Sequence, residues 1–408
     1  MHIDNKLINQ WVRKLEFVFT VFWLLYFLNV SLPSPFPSLV NALSYPFIAT
    51  LVILRWKRLA YVATKDIFLL LFIGFVTGSL LWTSHQGMTI NGVRGLLRTF
   101  LFGAYIAARY SITEQMRIWG WVFGIAAILS LVTALFIPSH GISATHGSFQ
   151  GIFPYKNYMA YVMSIGAVFF LLMFLESSMH KWLNLSVLSV TIFLISQSAS
   201  SAGIVSLFVL ILLMPFYTIV KQHYKLRTVI LGSILIIVGI LSILILANWQ
   251  FIIVELLGER GDFSGRAPIW NLAIEKGVER LWLGRGFNAF WKSDAGISIM
   301  INTWSGFQEE GFNIHNGLLE LFLSSGLIGL LLYVTSMVRS FIRIVTLLIY
   351  TKKIEFFWSL QLLVFLLLTT LADTYSLRLI YISLSLSIAV ESNKYLGKRA
   401  FDKSYNYV

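Results

Sequence analysis

A histidine stands at the beginning of a long apolar stretch near the end of the chain. Residues 311–334 read GFNIHNGLLELFLSSGLIGLLLYV, and the part after Asn316 is apolar enough to enter a bilayer. Histidine titrates near neutral pH, so His315 is the best candidate for a general base. Glu320 lies one helical turn beyond Asn316 on the same face, and a carboxylate that enters a membrane needs a partner. A lone histidine in such a place is more often structural, so its chemistry depends on the residues around it.

Arg94 and Arg98 are four residues apart and therefore share one face of a predicted helix. An arginine inside a membrane span costs about 2.5–3.5 kcal/mol on insertion scales, so it is usually paired or lines a wet cavity. Taken alone, Arg94 fits a side chain that reaches back to the headgroups. The two arginines together favour an anion-binding site.

Arg378 and Lys156 could join such a site, and each has a structural alternative. Arg378 lies in the last predicted span, where an ion pair with Asp373 explains it equally well. Lys156 lies in GIFPYKNYMA, among aromatic residues that are typical of a membrane interface. Gly151 and Pro154 indicate a fixed turn there, which favours a functional lysine modestly.

Arg266 and Arg285 fall in the segment between two late spans. Residues 264–268, SGRAP, are typical of a helix start, and 267–280 are predicted to form a helix. Backbone amides at a helix start attract anions, and Arg266 adds a bidentate donor, although Glu259 or Asp262 could pair with it instead. Arg285 follows in LGRGFNAFW at 283–291, whose glycine spacing is not a nucleotide-binding fingerprint.

The composition places these residues in a membrane protein. Of 408 residues, 57% are hydrophobic and 12% charged, whereas soluble domains carry about 25% charged residues. Apolar runs near 20 residues recur without alternation, which indicates helices and not a barrel. The chain has no cysteine, which excludes disulfides and thiolate chemistry. It has no HExxH motif or aspartate-rich loop, so we expect no metal and no other cofactor.

We therefore predict an all-α, polytopic integral membrane protein with about 12 transmembrane helices. The predicted spans are 15–30, 38–54, 66–82, 92–109, 118–137, 158–175, 182–198, 202–220, 228–247, 315–338, 356–372 and 374–391. The whole chain, 1–408, is expected to be a single membrane domain. Its one large loop, 248–314, is too long for a simple connector, so we expect it to contain short helices of its own.

The distribution of lysine and arginine predicts the orientation. With a cytoplasmic N-terminus and alternating spans, 21 of the 31 basic residues fall on the cytoplasmic side, which favours both termini in the cytoplasm. The net charge of +13 thus follows from topology and does not call for nucleic acid as a partner. The remaining basic residues fall on or near the outer face and need another reason to be there. They are Arg94, Arg98, Lys156, Arg260, Arg266, Lys276, Arg280, Arg285, Lys292 and Arg378.

Several of these segments together resemble the signature region of the O-antigen ligase/polymerase family. The resemblance covers about 150–330, while the first four spans match only in hydropathy. The Lys-Asn pair in GIFPYKNYMA and the SQSASSAG turn look like the exopolysaccharide-polymerase branch, because the ligase branch more often has Pro-Asn there. The matching motif residues are Gly265 with Arg266, Ile269 with Trp270, Leu283 to Gly286, His315 with Asn316, and Gly326 with Gly329.

The resemblance implies a metal-independent membrane glycosyltransferase of the bacterial inner (cytoplasmic) membrane with its active site on the outer face. Its donor would be a glycan on a polyprenyl pyrophosphate, held in the membrane lipids by its tail. His315 would activate the acceptor hydroxyl, and a set of basic residues with Asn316 would bind the substrates and stabilise the pyrophosphate. That set is Arg94, Arg98, Lys156, Arg266, Arg285 and Arg378.

Three alternatives stay open. A polymerase would use a lipid-linked repeat unit as acceptor, whereas a ligase would use a lipid A core or another glycan, and the sequence does not separate them. A transporter of polysaccharide or lipid-linked glycan would need inverted repeats, which the sequence does not clearly contain. A structural scaffold for polysaccharide export would tolerate substitution of His315.

Overall fold

The structure is a computed structural model that describes residues 5–31, 35–145, 147–176, 180–220, 266–303, 312, 314–372 and 378–405. Within these residues the chain is helical and contains no strand, so the predicted all-α class is confirmed. The helices are α1 (Asn5–Phe27), α2 (Phe36–Ala63), α3 (Ile67–Gly78), α4 (Gln86–Arg109), α5 (Ile112–Phe136), α6 (Pro138–Gly141), α7 (Lys156–Glu176), α8 (Lys181–Ser198), α9 (Ser201–Leu212), α10 (Met214–Val220), α11 (Arg266–Val278), α12 (Asp294–Ile301), α13 (Gly317–Thr351), α14 (Ile354–Ala372) and α15 (Arg378–Tyr405).

The chain is a multi-pass membrane protein. Among the described residues, 6 helices are long and apolar enough to cross a bilayer. They are Phe36–Ala63, Ile112–Phe136, Lys156–Glu176, Ser201–Ile219, Gly317–Thr351 and Ile354–Leu371. The count of about 12 stays a prediction, and the predicted span at 228–247 and the loop residues 248–265 lie outside the described residues.

The late part of the chain contains one helix close to its predicted bounds and one helix that is longer than the predicted span. The predicted helix at 267–280 is present as α11, with Pro268 in its first turn. The span predicted at 315–338 is part of the 35-residue helix α13, which continues through the expected cytoplasmic loop. Such a helix is about 50 Å long, more than a bilayer core of about 30 Å requires. It is also interrupted at Gly326, whose φ of 63° and ψ of −168° are not helical.

The chain divides into two compact units, Met1–Leu54 with Arg109–Leu212, and Arg55–Ala108 with Leu213–Val408. In the first unit, α7 is buried along most of its length and packs on α5, α8 and α9. The contact with α9 is close because Gly203 lies against Ala160, and the Ser164 hydroxyl donates to the Gly203 carbonyl at 2.8 Å. The serine-rich turn before α9 thus leads into close packing of small residues, as small residues commonly allow in membranes.

In the second unit, α13 packs on α3, α11, α14 and α15. A fully buried carboxylate, Asp66, holds three of these helices together. Asp66 caps α3 by accepting from the Leu69 amide at 3.2 Å, and it accepts from Ser336 of α13 at 2.8 Å and from Ser385 of α15 at 2.5 Å. The Ser336 hydroxyl also contacts the Tyr381 hydroxyl at 2.5 Å. A buried carboxylate is tolerated only with such partners, so this network fixes the register of α3, α13 and α15.

We expect Asp66→Ala to lower the stability of the folded protein by about 2–3 kcal/mol, because it removes the cap of α3 and leaves two buried serine hydroxyls without their acceptor. Thermal unfolding in detergent, followed by size-exclusion chromatography, measures the change. Thr64→Ala, at an exposed position two residues away, is the control and should change little. Equal melting temperatures for the Asp66→Ala protein and the unsubstituted protein would contradict this role.

Candidate functional site

The segment 281–286 fills the break in α13. In an unbroken helix the carbonyls of Leu323 and Ser324 would accept from the amides four residues later. Here they accept from the amides of Arg285, at 3.1 Å, and Gly286, at 3.0 Å. The carbonyls that the break would leave unpaired therefore have partners from another segment.

The same segment also supplies the missing acceptors. The amide of Leu327 donates to the Leu281 carbonyl at 2.7 Å, and the amide of Ile328 donates to the Trp282 carbonyl at 3.3 Å. Residues 281–286 thus provide both the donors and the acceptors that the interrupted helix lacks. An irregular backbone at membrane depth is tolerated when it is buried in protein and satisfied in this way.

Two glycines make this exchange possible. Gly326 has positive φ, and a Cβ there would overlap the carbonyl group of Trp282. Gly284 has a φ of 66°, and a Cβ there would lie 2.6 Å from the Gly326 amide nitrogen. Both positions need a left-handed backbone and a close approach of two main chains, which only glycine combines at low cost. The glycines in LGRG and GLIG are therefore two sides of one contact.

His315 is held by its neighbours on both sides. The carbonyl of Ile314, which is buried, accepts from the Trp270 indole at 2.9 Å. Asn316 caps α13, because its side-chain oxygen accepts from the Leu319 amide at 3.1 Å. His315 itself is half-buried and has a left-handed φ of 51°, which is uncommon outside glycine and costs energy. The cap and the indole contact therefore position His315 directly before the first turn of α13.

A cavity opens beside this first turn, within the second unit. It encloses about 660 Å³, counted with its open mouth. Its lining is apolar on α3 and α4 and polar where α13, α14 and α15 meet. The lining residues are Leu69, Phe72, Ile73, Leu96, Phe287, Asn288, Gly317, Glu320, Leu321, Ser324, Tyr333, Thr370, Arg378, Tyr381 and Ile382. An apolar slot with a few convergent polar groups is the usual form of a ligand site.

Glu320 and Arg378 bring a carboxyl group and a guanidinium group to this cavity. One Glu320 oxygen accepts from the Trp291 indole at 2.7 Å, and the other is 3.5 Å from the Ser324 hydroxyl. The Arg378 guanidinium lies over the Phe287 ring, 5.2 Å from its centroid. Glu320, for which the sequence indicated no particular partner, thus accepts a hydrogen bond from the Trp291 indole. Arg378 lines the cavity at the start of α15.

The four other predicted arginines of the second unit differ in their exposure and contacts. Arg94 is exposed on α4, and Arg98, one turn later, is half-buried with its Nε atom buried. Arg266 is the half-buried first residue of α11. Arg285 forms an ion pair with Glu279. Helix α4 lies against the cavity wall, because a Cβ at Gly92 would be 3.0 Å from Phe287 and Asn288.

The Glu279 carboxylate forms ion pairs with both Lys276 and Arg285. A hydrogen bond from Lys276, and the positive charges of Lys276 and Arg285, hold the pKa of Glu279 below its usual range. Glu279 therefore stays ionised at neutral pH, and Arg285 faces an opposite charge in this state of the molecule.

Lys156 belongs to the first unit. It is the first residue of α7, and its ammonium group donates to the Ala199 carbonyl at 3.3 Å. Of the predicted site residues, Arg378 lines the cavity, and His315 and Asn316 directly precede its lining residue Gly317. The described residues contain no group of three or more His, Cys, Asp or Glu side chains placed to hold a metal ion.

Sequence reasoning missed Trp291, Tyr333 and Tyr381 as parts of the site. Tyr333 and Tyr381 line the cavity, and their ring centroids are 5.1 Å apart. The available signal was weak: polar aromatic residues within apolar helices look like ordinary membrane-span residues until their neighbours are known.

Comparison with known proteins fits this architecture. A family model described as O-antigen ligase matches residues 183–334, which include α11, the segment 281–286 and the break in α13. An exopolysaccharide production protein, ExoQ of Rhizobium meliloti strain 1021, is 25% identical over 303 residues, which cover 71% of this chain and 68% of the relative. Both findings support an O-antigen ligase/polymerase-like family, so the resemblance predicted from the motifs is confirmed.

We expect Gly326→Ala to destabilise the protein by more than about 2 kcal/mol, because alanine disfavours this backbone conformation and its Cβ would overlap Trp282. The apparent melting temperature in detergent should fall by several degrees. Gly74→Ala in α3 is the matched control, because a Cβ there meets nothing within 4 Å. If both substitutions left the melting temperature unchanged, the contact at the break would not stabilise the fold.

Proposed function

We propose that this chain is a membrane glycosyltransferase that polymerises polyprenyl-pyrophosphate-linked oligosaccharide repeat units on the outer face of the cytoplasmic membrane. Three findings support a membrane enzyme of polysaccharide biosynthesis: the multi-pass fold, the O-antigen ligase family model and the exopolysaccharide production relative. The observation that carries the proposal is the cavity of the second unit. It combines an apolar lining, suited to a lipid-linked substrate, with Arg378, and His315 lies two residues before the lining residue Gly317.

The proposed reaction needs one base and one group of cations. His315 removes the proton from the acceptor hydroxyl, and the resulting oxygen attacks the anomeric carbon of the donor glycan. The bond from that carbon to the pyrophosphate oxygen breaks, and the polyprenyl pyrophosphate leaves with the bonding electrons. Negative charge grows on the leaving oxygen, and arginine side chains stabilise such charge most in a dry site.

We assign the closest role at the leaving group to Arg378 and Arg98, because one lines the cavity and the other carries a buried guanidinium atom. Arg94 and Arg266 are proposed to bind the rest of the donor, whereas the role of Lys156 stays a prediction from the sequence. Arg285 must exchange Glu279 for a phosphate oxygen to contribute, and Asn316 acts mainly by capping the helix that positions His315. Transfer is proposed to need no metal ion.

The topology around this site is also a proposal. Both termini lie in the cytoplasm, and the cavity faces outward, because basic residues are concentrated in the alternate loops. The whole chain forms one membrane domain, and 150–330 with the outer loop 248–314 carries the signature region. Its partners are the lipid-linked donor, the glycan acceptor and the surrounding lipids, and not nucleic acid.

Ligation is the second candidate, since the matching family model is described as O-antigen ligase. The chemistry at the donor would be the same, and the acceptor would be a lipid A core or another glycan. A transporter of lipid-linked glycan is a candidate of another class, which would not make a new glycosidic bond.

We expect His315→Ala to abolish transfer by the purified protein while it still folds and inserts, because no base then activates the acceptor. The assay supplies polyprenyl-pyrophosphate-linked repeat units alone and separates products by size. A ladder of longer lipid-linked glycans supports a polymerase, whereas product only after addition of a lipid A core supports a ligase. His180→Ala, at an exposed position before α8, is the control. Full activity of the His315→Ala protein would remove this histidine from the mechanism.

We expect Arg378→Gln to lower the rate of transfer by about 100-fold, because one stabilising cation at the leaving group is lost. Arg378→Lys should recover only part of the rate, since the bidentate geometry is lost. Arg280→Gln changes the same charge at an exposed position near the end of α11 and should leave the rate almost unchanged. Equal rates for the Arg378→Gln and Arg280→Gln proteins would show that Arg378 does not act on the donor.

A further inference from the structure

The first unit contains a second pocket, lined by arginines of α1, of the end of α4 and of α5. Arg13, Arg109 and Arg117 all contribute to its wall. The empty space is about 470 Å³, counted with the part open to solvent. We call it the arginine pocket. Its remaining lining residues are Phe17, Tyr110, Glu114 and Ile118.

The nearby acids leave this pocket positively charged. Glu16 is held by Arg109 in a two-point ion pair, with distances of 2.8 and 2.7 Å. Glu114 is committed to the start of α5, where its carboxylate accepts from the Ser111 amide at 2.8 Å in a capping box. Within the described residues, neither Arg13 nor Arg117 takes part in an ion pair. Both are exposed, so two guanidinium groups face the open side of the pocket.

The surroundings of the pocket favour a lipid over a small soluble ion. Phe17 and Ile118 form part of the wall, and Trp121, one helical turn after Arg117 on the same face, is 57% exposed. An exposed tryptophan beside a basic residue is typical of the membrane–water interface. Basic pockets between membrane helices bind anionic headgroups, and the apolar wall can accommodate the first part of an acyl chain.

Two polar contacts hold α1 against Arg109 and Tyr110 beside the pocket. The Tyr110 hydroxyl is bonded to the Thr20 hydroxyl of α1 at 2.8 Å, and the Arg109–Glu16 pair joins the same two parts of the chain. Arg109 is therefore part of the structure, while Arg13 and Arg117 remain available for a ligand.

We infer that the arginine pocket binds the phosphate group of an anionic phospholipid, and that Arg13 and Arg117 are the main residues in contact with it. On the proposed topology the pocket opens on the cytoplasmic side, where anionic lipids attract basic groups. The site is separate from the proposed glycosyl transfer, so the inference does not depend on that function. Inorganic phosphate shares the headgroup chemistry and is the other source of the ligand that a test must distinguish.

The test measures lipid retention by the purified full-length chain, with no activity assay. Native mass spectrometry counts the lipids that stay bound after titration with phosphatidylglycerol or with phosphatidylcholine. We expect one phosphatidylglycerol to be retained with clear preference over phosphatidylcholine. In the double variant Arg13→Gln with Arg117→Gln, the apparent affinity should fall about 10-fold or more, because each basic residue contributes substantially to such contacts.

The matched control is the double variant Arg58→Gln with Lys353→Gln, which loses the same charge at exposed positions of the same expected membrane side. It should retain phosphatidylglycerol as the unsubstituted protein does. A conservative variant, Arg13→Lys with Arg117→Lys, keeps the charge and should recover part of the affinity, which guards against a folding effect.

Three outcomes would overturn the inference. Equal losses in the pocket and control variants would mean that surface charge as a whole attracts the lipid. Equal retention of phosphatidylcholine and phosphatidylglycerol would mean that the pocket does not prefer a lipid of net negative charge, since both headgroups contain a phosphate. Displacement of the lipid by millimolar inorganic phosphate, with the pocket variants abolishing phosphate binding, would make the pocket a site for a soluble anion.

Discussion

The exchange of backbone hydrogen bonds at the break in α13 organises the second unit. In a bilayer an interrupted helix leaves amides and carbonyls without water to bind, at a cost of several kcal/mol for each group. Residues 281–286 satisfy both sides of the interruption, which is possible because Gly284 and Gly326 allow the two main chains to touch. The same segment continues into Phe287 and Asn288, which form one wall of the cavity, while the short first part of α13 carries Glu320 on another. The shape of the candidate site therefore depends on this one contact.

Buried polar groups then fix the positions of the helices around that contact. Asp66 joins α3, α13 and α15 through serine hydroxyls, and Glu320 joins α13 to the turn that carries Trp291. Each of these carboxyl groups has a donor from a separate element, so a shift of one helix along another would leave a buried polar group unpaired. Tyr381 belongs to both regions, since it contacts Ser336 of the Asp66 network and also lines the cavity.

The basic residues of the chain differ in their roles. Many of them follow the expected topology, and some are neutralised within the fold, as in the pairs of Arg285 with Glu279 and Arg109 with Glu16. Arg378 lines the cavity at the start of α15, and Arg13 and Arg117 line the arginine pocket. The position of an arginine in a span therefore does not decide its role alone, because the side chains around it also matter.

The sequence by itself determined the all-α membrane class, the helix α11, the start of the span after His315, and the resemblance to the O-antigen ligase/polymerase family. These features depend on local hydrogen bonds and on the length of apolar runs, which a linear pattern records. Only the tertiary structure decided that α13 breaks at Gly326, since a glycine in an apolar run is also compatible with a continuous helix and its replacement partners come from a distant segment. Helix packing likewise decided which donor Glu320 has and which helices the hydrogen bonds of Asp66 join. Each of these polar groups must be satisfied, but the choice of donor depends on which helices meet, and that is a property of the folded chain.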